Sequence, residues 1–202
     1  MNNLPINLFD VLLLAVLVVG LLIGRKRGMS LEMFSMIKWI GLALGCGATY
    51  AYIAKFIAAN TPVSKLTSNI IGYLVAAAVI NILFVIFKRV VGGKIIGSDA
   101  FGKWEYYLGM PAGMVRAFCA LLFGLAILNA RLYTVADVKA MRDFQMKNFD
   151  SEFFPTLQTV QANVFEKSLT GPPIKKYLNF MLIEPAPPES KQLKRSGEWQ
   201  MP

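Results

Sequence analysis

IIGYLVAAAVINILFVIF, residues Ile70 to Phe87, is the stretch that decides what kind of protein this is. It carries no charged side chain and a single amide, Asn81. A dozen of its residues are Ile, Leu, Val or Phe. At about −0.3 to −0.6 kcal/mol each on a membrane-insertion scale, they sum to roughly −4 to −7 kcal/mol before Asn81 counts against them. A helix of that composition enters a bilayer unaided. Its length suits the need for about twenty mostly apolar residues to cross about 30 Å of hydrocarbon.

Three further runs read the same way. Ile6 to Ile23 is short and carries Asp10 near its start; Leu31 to Ile57 is long and carries Glu32 and Lys38; Tyr107 to Ala130 contains Arg116. The second run inserts less readily because of Lys38 and needs its neighbours. Over the whole chain of 202 residues, 55% are hydrophobic, 16% are charged and the mean hydropathy is +0.51, so lipid is the solvent for much of it. The expected fold is all-α. A four-helix transmembrane bundle occupies residues 1–130, short amphipathic interfacial helices follow over 131–183, and a disordered tail runs from 184 to 202.

Charge order predicts orientation. Met1 to Phe9 holds no Lys or Arg, while Arg25, Lys26 and Arg27 follow the first run, the reverse of a cleavable signal peptide. The first run therefore reads as an uncleaved anchor. Lys88, Arg89, Lys94 and Lys103 follow the third run, whereas the loop before it has only Lys65 and the nearby Lys55. The positive-inside rule places both basic regions in the cytoplasm and both termini outside, with Arg131, Lys139 and Arg142 arguing the other way.

The net charge of +9 does not point to nucleic acid, because the cations gather at the ends of apolar runs. The chain has no histidine, which removes the commonest general base and transition-metal ligand. Cys46 and Cys119 each lie inside an apolar run and read as packing residues, neither a disulfide framework nor a metal site. No cofactor is expected.

Apolar side chains gain nothing by leaving lipid for one another, so helix association needs small residues and a few polar contacts. Gly20, Gly24 and Gly28 recur at every fourth position, as do Gly41 and Gly45, Gly72 and Ala76, and Gly109, Gly113 and Ala117. Each run thus has a narrow face, available within one chain or between chains. Glu32 enters about a turn deep from the basic side and Arg116 roughly two turns deeper, an offset an extended arginine can span, with Lys38 at a similar depth. They either meet across helices or each snorkels to the headgroups.

The order of residues is also familiar. Arg27-Gly28-Met29-Ser30-Leu31-Glu32-Met33-Phe34-Ser35-Met36-Ile37-Lys38-Trp39 resembles the Arg-Gly, Glu, Ser and Trp pattern that opens the second helix of the colicin V production protein (CvpA) family, and Asp10 early in the first run fits too. Leu108-Gly109-Met110-Pro111-Ala112-Gly113-Met114-Val115-Arg116 resembles the Gly-x-x-x-Gly-x-x-Arg opening of that family's last helix. Ser151 and Pro155 resemble its Ser-x-x-x-Pro step into a terminal amphipathic helix. The resemblance covers roughly residues 6 to 165. Where the family commonly has an Asp-Arg pair before the last helix, this chain has Glu105-Tyr106; Ala117 replaces a usual glycine, and Lys38 stands where an uncharged residue is expected. The resemblance implies a small multi-pass protein of the bacterial inner membrane, associated with bacteriocin production or export and with envelope homeostasis, and it brings no catalytic residues.

Beyond Leu132, Leu157, Val160, Val164, Phe165 and Leu169 share one helical face, and Ile174, Tyr177, Leu178, Met181 and Leu182 share another. Both segments are too short to span and are expected at the membrane interface or on the outer rim of the bundle. Three functions compete. A non-enzymatic channel-like or scaffold subunit, partnered by the lipid bilayer and by copies of itself or other inner-membrane proteins, suits the small-residue faces. An ion- or proton-coupled transporter would use Asp10, Glu32, Lys38 and Arg116, but needs internal repeats that the sequence does not display. An intramembrane enzyme would need a paired aspartate or a serine with a base, and Asp10 has no twin while Ser35 has no histidine.

Overall fold

The computed structural model describes residues 7–95, 101–133, 138, 139, 142–144, 146, 147 and 156–186. Four long helices dominate it: α1 (Leu8–Arg27), α2 (Met29–Asn60), α3 (Lys65–Ile95) and α4 (Glu105–Asn129). All four are long and apolar enough to cross a membrane. Two short helices follow, α5 (Leu157–Phe165) and α6 (Gly171–Tyr177). Among the described residues there is no strand, and the fold is all-α.

The helices reach further than the apolar runs. In α1 they take in Arg25, Lys26 and Arg27, and in α3 they continue to Ile95. Hydropathy marks where lipid ends, but backbone hydrogen bonding continues until something breaks it. Between α1 and α2 the break is Gly28 alone, at φ 76°, a conformation that side chains rarely adopt. At its other end α1 is capped by Asn7, whose side chain accepts from Leu8 N while its own N–H donates to Asp10.

The packing order is a row, α1 on α4, α4 on α2 and α2 on α3, with α1 and α3 at the two outer edges. Two glycine faces make the first contact. A Cβ placed on Gly24 would lie 2.9 Å from the Cα of Gly113, one on Gly113 would lie 2.8 Å from the Cα of Gly24, and one on Gly20 would meet the Cβ of Ala117 at 2.6 Å. The stripe Gly20, Gly24, Gly28 therefore runs against Gly109, Gly113, Ala117 within one chain, backbone on backbone. Gly41 and Gly45 instead receive Phe84 and Ile80 of α3, and Gly72 receives the backbone of α2 at Tyr50 and Ala54.

Length explains the rest of the architecture. At 1.5 Å per residue, α1 is about 30 Å long and α2 about 48 Å, so α2 outruns α1 by about three turns and the 25-residue α4 by about two. The carboxyl-terminal segment fills the step this leaves. Its Phe180 and Met181 backbone lies against Gly47 of α2. Val164, Phe165, Ile174, Leu182 and Ile183 are buried and continuous with Tyr50, Tyr73, Leu122, Leu125 and Ala126 of the long helices. Of the two faces read from sequence, Leu157, Leu169 and Tyr177 are exposed, while the other members are buried or partly so. The large core thus sits at the end of the molecule away from Arg25–Arg27.

Residues 184–186, which the sequence reading assigns to the tail, are held on the bundle. Glu184 N donates to the Tyr50 hydroxyl, and Ala186 is buried, exchanging backbone hydrogen bonds with Ala130 and Leu132. Ala186 supplies both the N–H and the carbonyl of that exchange, so the N–H that Pro185 lacks is not needed. The remainder of that tail, 187–202, lies outside the described residues, as do Ser151 and Pro155.

Candidate functional site

At the basic end, where a large apolar core is lacking, a polar cluster takes its place. Glu32 stands in the first turn of α2, where a carboxylate opposes the positive end of the helix dipole, and it is fully buried. Arg116 of α4 makes a direct ion pair with it. Arg27, in the last turn of α1, approaches at 3.6 Å from the other side and is half exposed. One carboxylate therefore joins α1, α2 and α4. A single buried charge would be expelled at high cost in hydrocarbon, and two guanidinium groups within reach make it tenable.

A second carboxylate stands one layer outward. Glu105, in the first turn of α4, accepts from Ser30 N at 2.7 Å and from Ser30 Oγ at 3.0 Å. It supplies the side-chain cap that Gly28, at the N-terminal boundary of α2, cannot provide. A Cβ on Gly28 would come within 2.7 Å of Glu105 Oε1, so glycine there serves both the turn and the cap. From sequence alone Glu105-Tyr106 reads only as a departure from the family pattern; its position at the start of a helix facing one without a side-chain cap is what gives it a role.

Asp10 lies at the opposite end of α1, about 26 Å from Arg27 at helical rise. It accepts from Asn7 N at 2.9 Å, Leu169 N at 3.1 Å, Thr170 N at 3.1 Å and Thr170 Oγ1 at 2.6 Å. Asn7 Nδ2 also donates to the Asn163 carbonyl at 3.0 Å. Asp10 is thus the clasp for the carboxyl-terminal segment. Asn129 Nδ2, donating to Ile183 O, and Gln161 Nε2, donating to Leu128 O and Arg131 O, complete the join.

Of the residues singled out from sequence, Arg27, Glu32 and Arg116 come together, with Gly28, Gly109 and Gly113 forming the close contact beside them. Trp39 packs edge-on against Phe123 at 6.3 Å in the middle of the molecule. Ser35 and Lys38 face the α2–α3 side instead, lining a small crevice. Asp10 is separate. Among the described residues, no three of His, Cys, Asp and Glu gather closely enough to hold a metal ion, and both cysteines are buried thiols. The chemistry available to the Glu32 cluster is attraction between fixed charges, which fastens helices.

A family model described as colicin V production protein matches residues 9–160 of the chain. No curated protein and no solved structure matches it. The matched span takes in the Glu32 cluster, the glycine contact, Asp10 and α5 as far as Val160.

Proposed function

This chain belongs to the colicin V production protein family, and on that premise we propose that it is a non-enzymatic, oligomeric channel-like or scaffold subunit of the bacterial inner membrane. Its work is toxin production or export and envelope homeostasis. The observation that carries this reading is how the charges are used. Glu32 is engaged by Arg27 and Arg116, Glu105 by Ser30, and Asp10 by the carboxyl-terminal segment. Each fastens one element to another, as suits a rigid subunit. A proton- or ion-coupled path through Asp10, Glu32, Lys38 and Arg116 would have to join groups at opposite ends of α1.

The row of helices leaves two open edges on which a second copy can pack in place of lipid, with no gain from apolar burial itself. Its edges, α1 and α3, carry outward apolar faces such as Leu14, Val18 and Leu22 on one side and Val79, Ile82 and Ile86 on the other. A second copy can meet either edge without disturbing the glycine contact. The orientation consistent with this reading has Arg25, Lys26, Arg27, Lys88 and Arg89 in the cytoplasm and the Asp10 end, with both termini, in the periplasm.

Single cysteines at Leu14, Val18, Val79 and Ile82, tested by oxidative crosslinking in native membranes, examine the proposal. The two natural thiols are buried and give a quiet background. A disulfide-linked dimer from an α1 or α3 position is the expected result, extending to a ladder when one cysteine on α1 is combined with one on α3. Failure of every position to yield a dimer, with the purified protein monomeric in mild detergent, would overturn it. Flux of ions or peptides through liposomes then separates a pore from a scaffold.

A further inference from the structure

Among the described residues, Lys38 is the one membrane-depth charge that the fastenings above do not use. It stands ten residues into α2, about 14 Å along the helix from Met29. Its ammonium lies 5.7 Å from the ring of the adjacent Trp39, and among the described residues no carboxylate pairs with it. The two carboxylates at this end, Glu32 and Glu105, are occupied on the α1–α4 side. Lys38 instead opens into a crevice of about 180 Å³ between α2 and α3, shared with Ser35, Asn81 and Lys88.

That crevice has a polarity of its own. Among the described residues its polar lining is two ammonium groups, a hydroxyl and an amide, a set rich in donors with no negative charge. Lys88 lies seven residues beyond Asn81 toward the basic end, about 10 Å at helical rise, so the cations step inward from the headgroup level. Deeper in, Lys38 and Asn81 also border a second, apolar cavity of about 310 Å³ lined by Leu42, Ala77, Ala78 and Phe123. Among the described residues α2 and α3 alone line the crevice, so the way in is sideways, from lipid. A cation and an amide cost free energy at this depth unless something complements them. The complement must be anionic, and its remainder must be apolar enough to follow the cavity inward.

We propose that this crevice binds an anionic phospholipid from the leaflet at the basic end. The phosphate sits between Lys38 and Lys88 with Ser35 and Asn81 donating to it, and an acyl chain lies over the apolar cavity beside Phe123. An Arg at position 38 would keep the charge, whereas Met would keep the volume and lose it.

The test uses the full chain in nanodiscs of phosphatidylcholine doped with dioleoyl phosphatidylglycerol, followed by native mass spectrometry of the ejected protein. Phosphatidylglycerol should be retained over phosphatidylcholine by roughly five- to thirtyfold, the scale of one or two well-placed basic contacts at a membrane surface. Lys38→Met should remove most of that preference and Lys88→Gln a large part of it. Lys38→Arg should restore it, and Arg89→Gln, outside the crevice, should leave it intact. The proposal fails if both lipids are retained alike, or if Lys38→Met keeps the preference while eluting as wild type. It also fails if inorganic phosphate at millimolar concentration displaces the lipid completely, which would identify a free anion as the occupant.

Discussion

Neutralising Glu32 tests the idea that one buried carboxylate fastens three helices. In Glu32→Gln, Arg116 loses its partner while its side chain is only 19% exposed. Removing one member of a buried pair elsewhere costs 3–5 kcal/mol; Arg116 retains some access to the basic interface, so about 2–4 kcal/mol is expected here. Arg27 contributes little to this sum, because it is half exposed and 3.6 Å distant; Arg27→Gln should cost under about 1 kcal/mol. Arg116→Met alone strands the carboxylate and should cost as much as Glu32→Gln. In the double variant neither charge is left, and the loss should fall to within about 1 kcal/mol of wild type. A charge swap would be a poorer test, since a cation at position 32 would face Arg27. Apparent unfolding free energies from dodecyl sulfate titration of mixed micelles, followed by tryptophan fluorescence, give the four corners of the cycle. If the double variant lost the full sum of the two singles, within about 0.5 kcal/mol, the pair would not be coupled and the reasoning would be refuted.

Gly24→Ala should destabilise by about 2–3 kcal/mol in the same titration, because its Cβ would press on the Gly113 backbone. Gly124→Ala, whose Cβ meets nothing within 4 Å, should be neutral or stabilise by about 0.5–1 kcal/mol, and equal effects at the two positions would discount the close contact. Gly28→Ala should cost about 1–3 kcal/mol through its positive φ alone, and more through Glu105; combining it with Glu105→Ala should be less than additive. Asp10→Ala removes the acceptor of Leu169 N and Thr170 N, so hydrogen exchange at those two amides should quicken roughly ten- to a hundredfold while Ser30 is unaffected. Unchanged protection there would mean that the carboxyl-terminal segment is held by its apolar contacts alone.

The four spanning helices were legible because hydrocarbon imposes a one-dimensional rule, about twenty apolar residues in a row, that any reader of Ile70–Phe87 can apply. Their ends were less so: Arg25–Arg27 and Lys88–Ile95 are helical although polar, since backbone hydrogen bonding does not stop at the lipid boundary. The motif residues Arg27, Glu32 and Arg116 were visible as charges in unlikely places, yet whether they met or snorkelled could not be decided without the third dimension. Glu105 was overlooked because an acidic residue at a helix start is ordinary until the neighbouring cap is seen to lack a side chain.

What the sequence determined by itself was the solvent, the number of crossings and which surfaces were narrow enough to touch, because each depends on composition along the chain. Which narrow face meets which was decided only in the tertiary structure. Gly24 lies on Gly113, Gly41 under Phe84 and Gly47 under Phe180, three partners on three different elements for the same small residue. Contacts between helices depend on relative length, tilt and register, and it is the mismatch between a short α1 and a long α2 that leaves the step where the carboxyl-terminal segment rests.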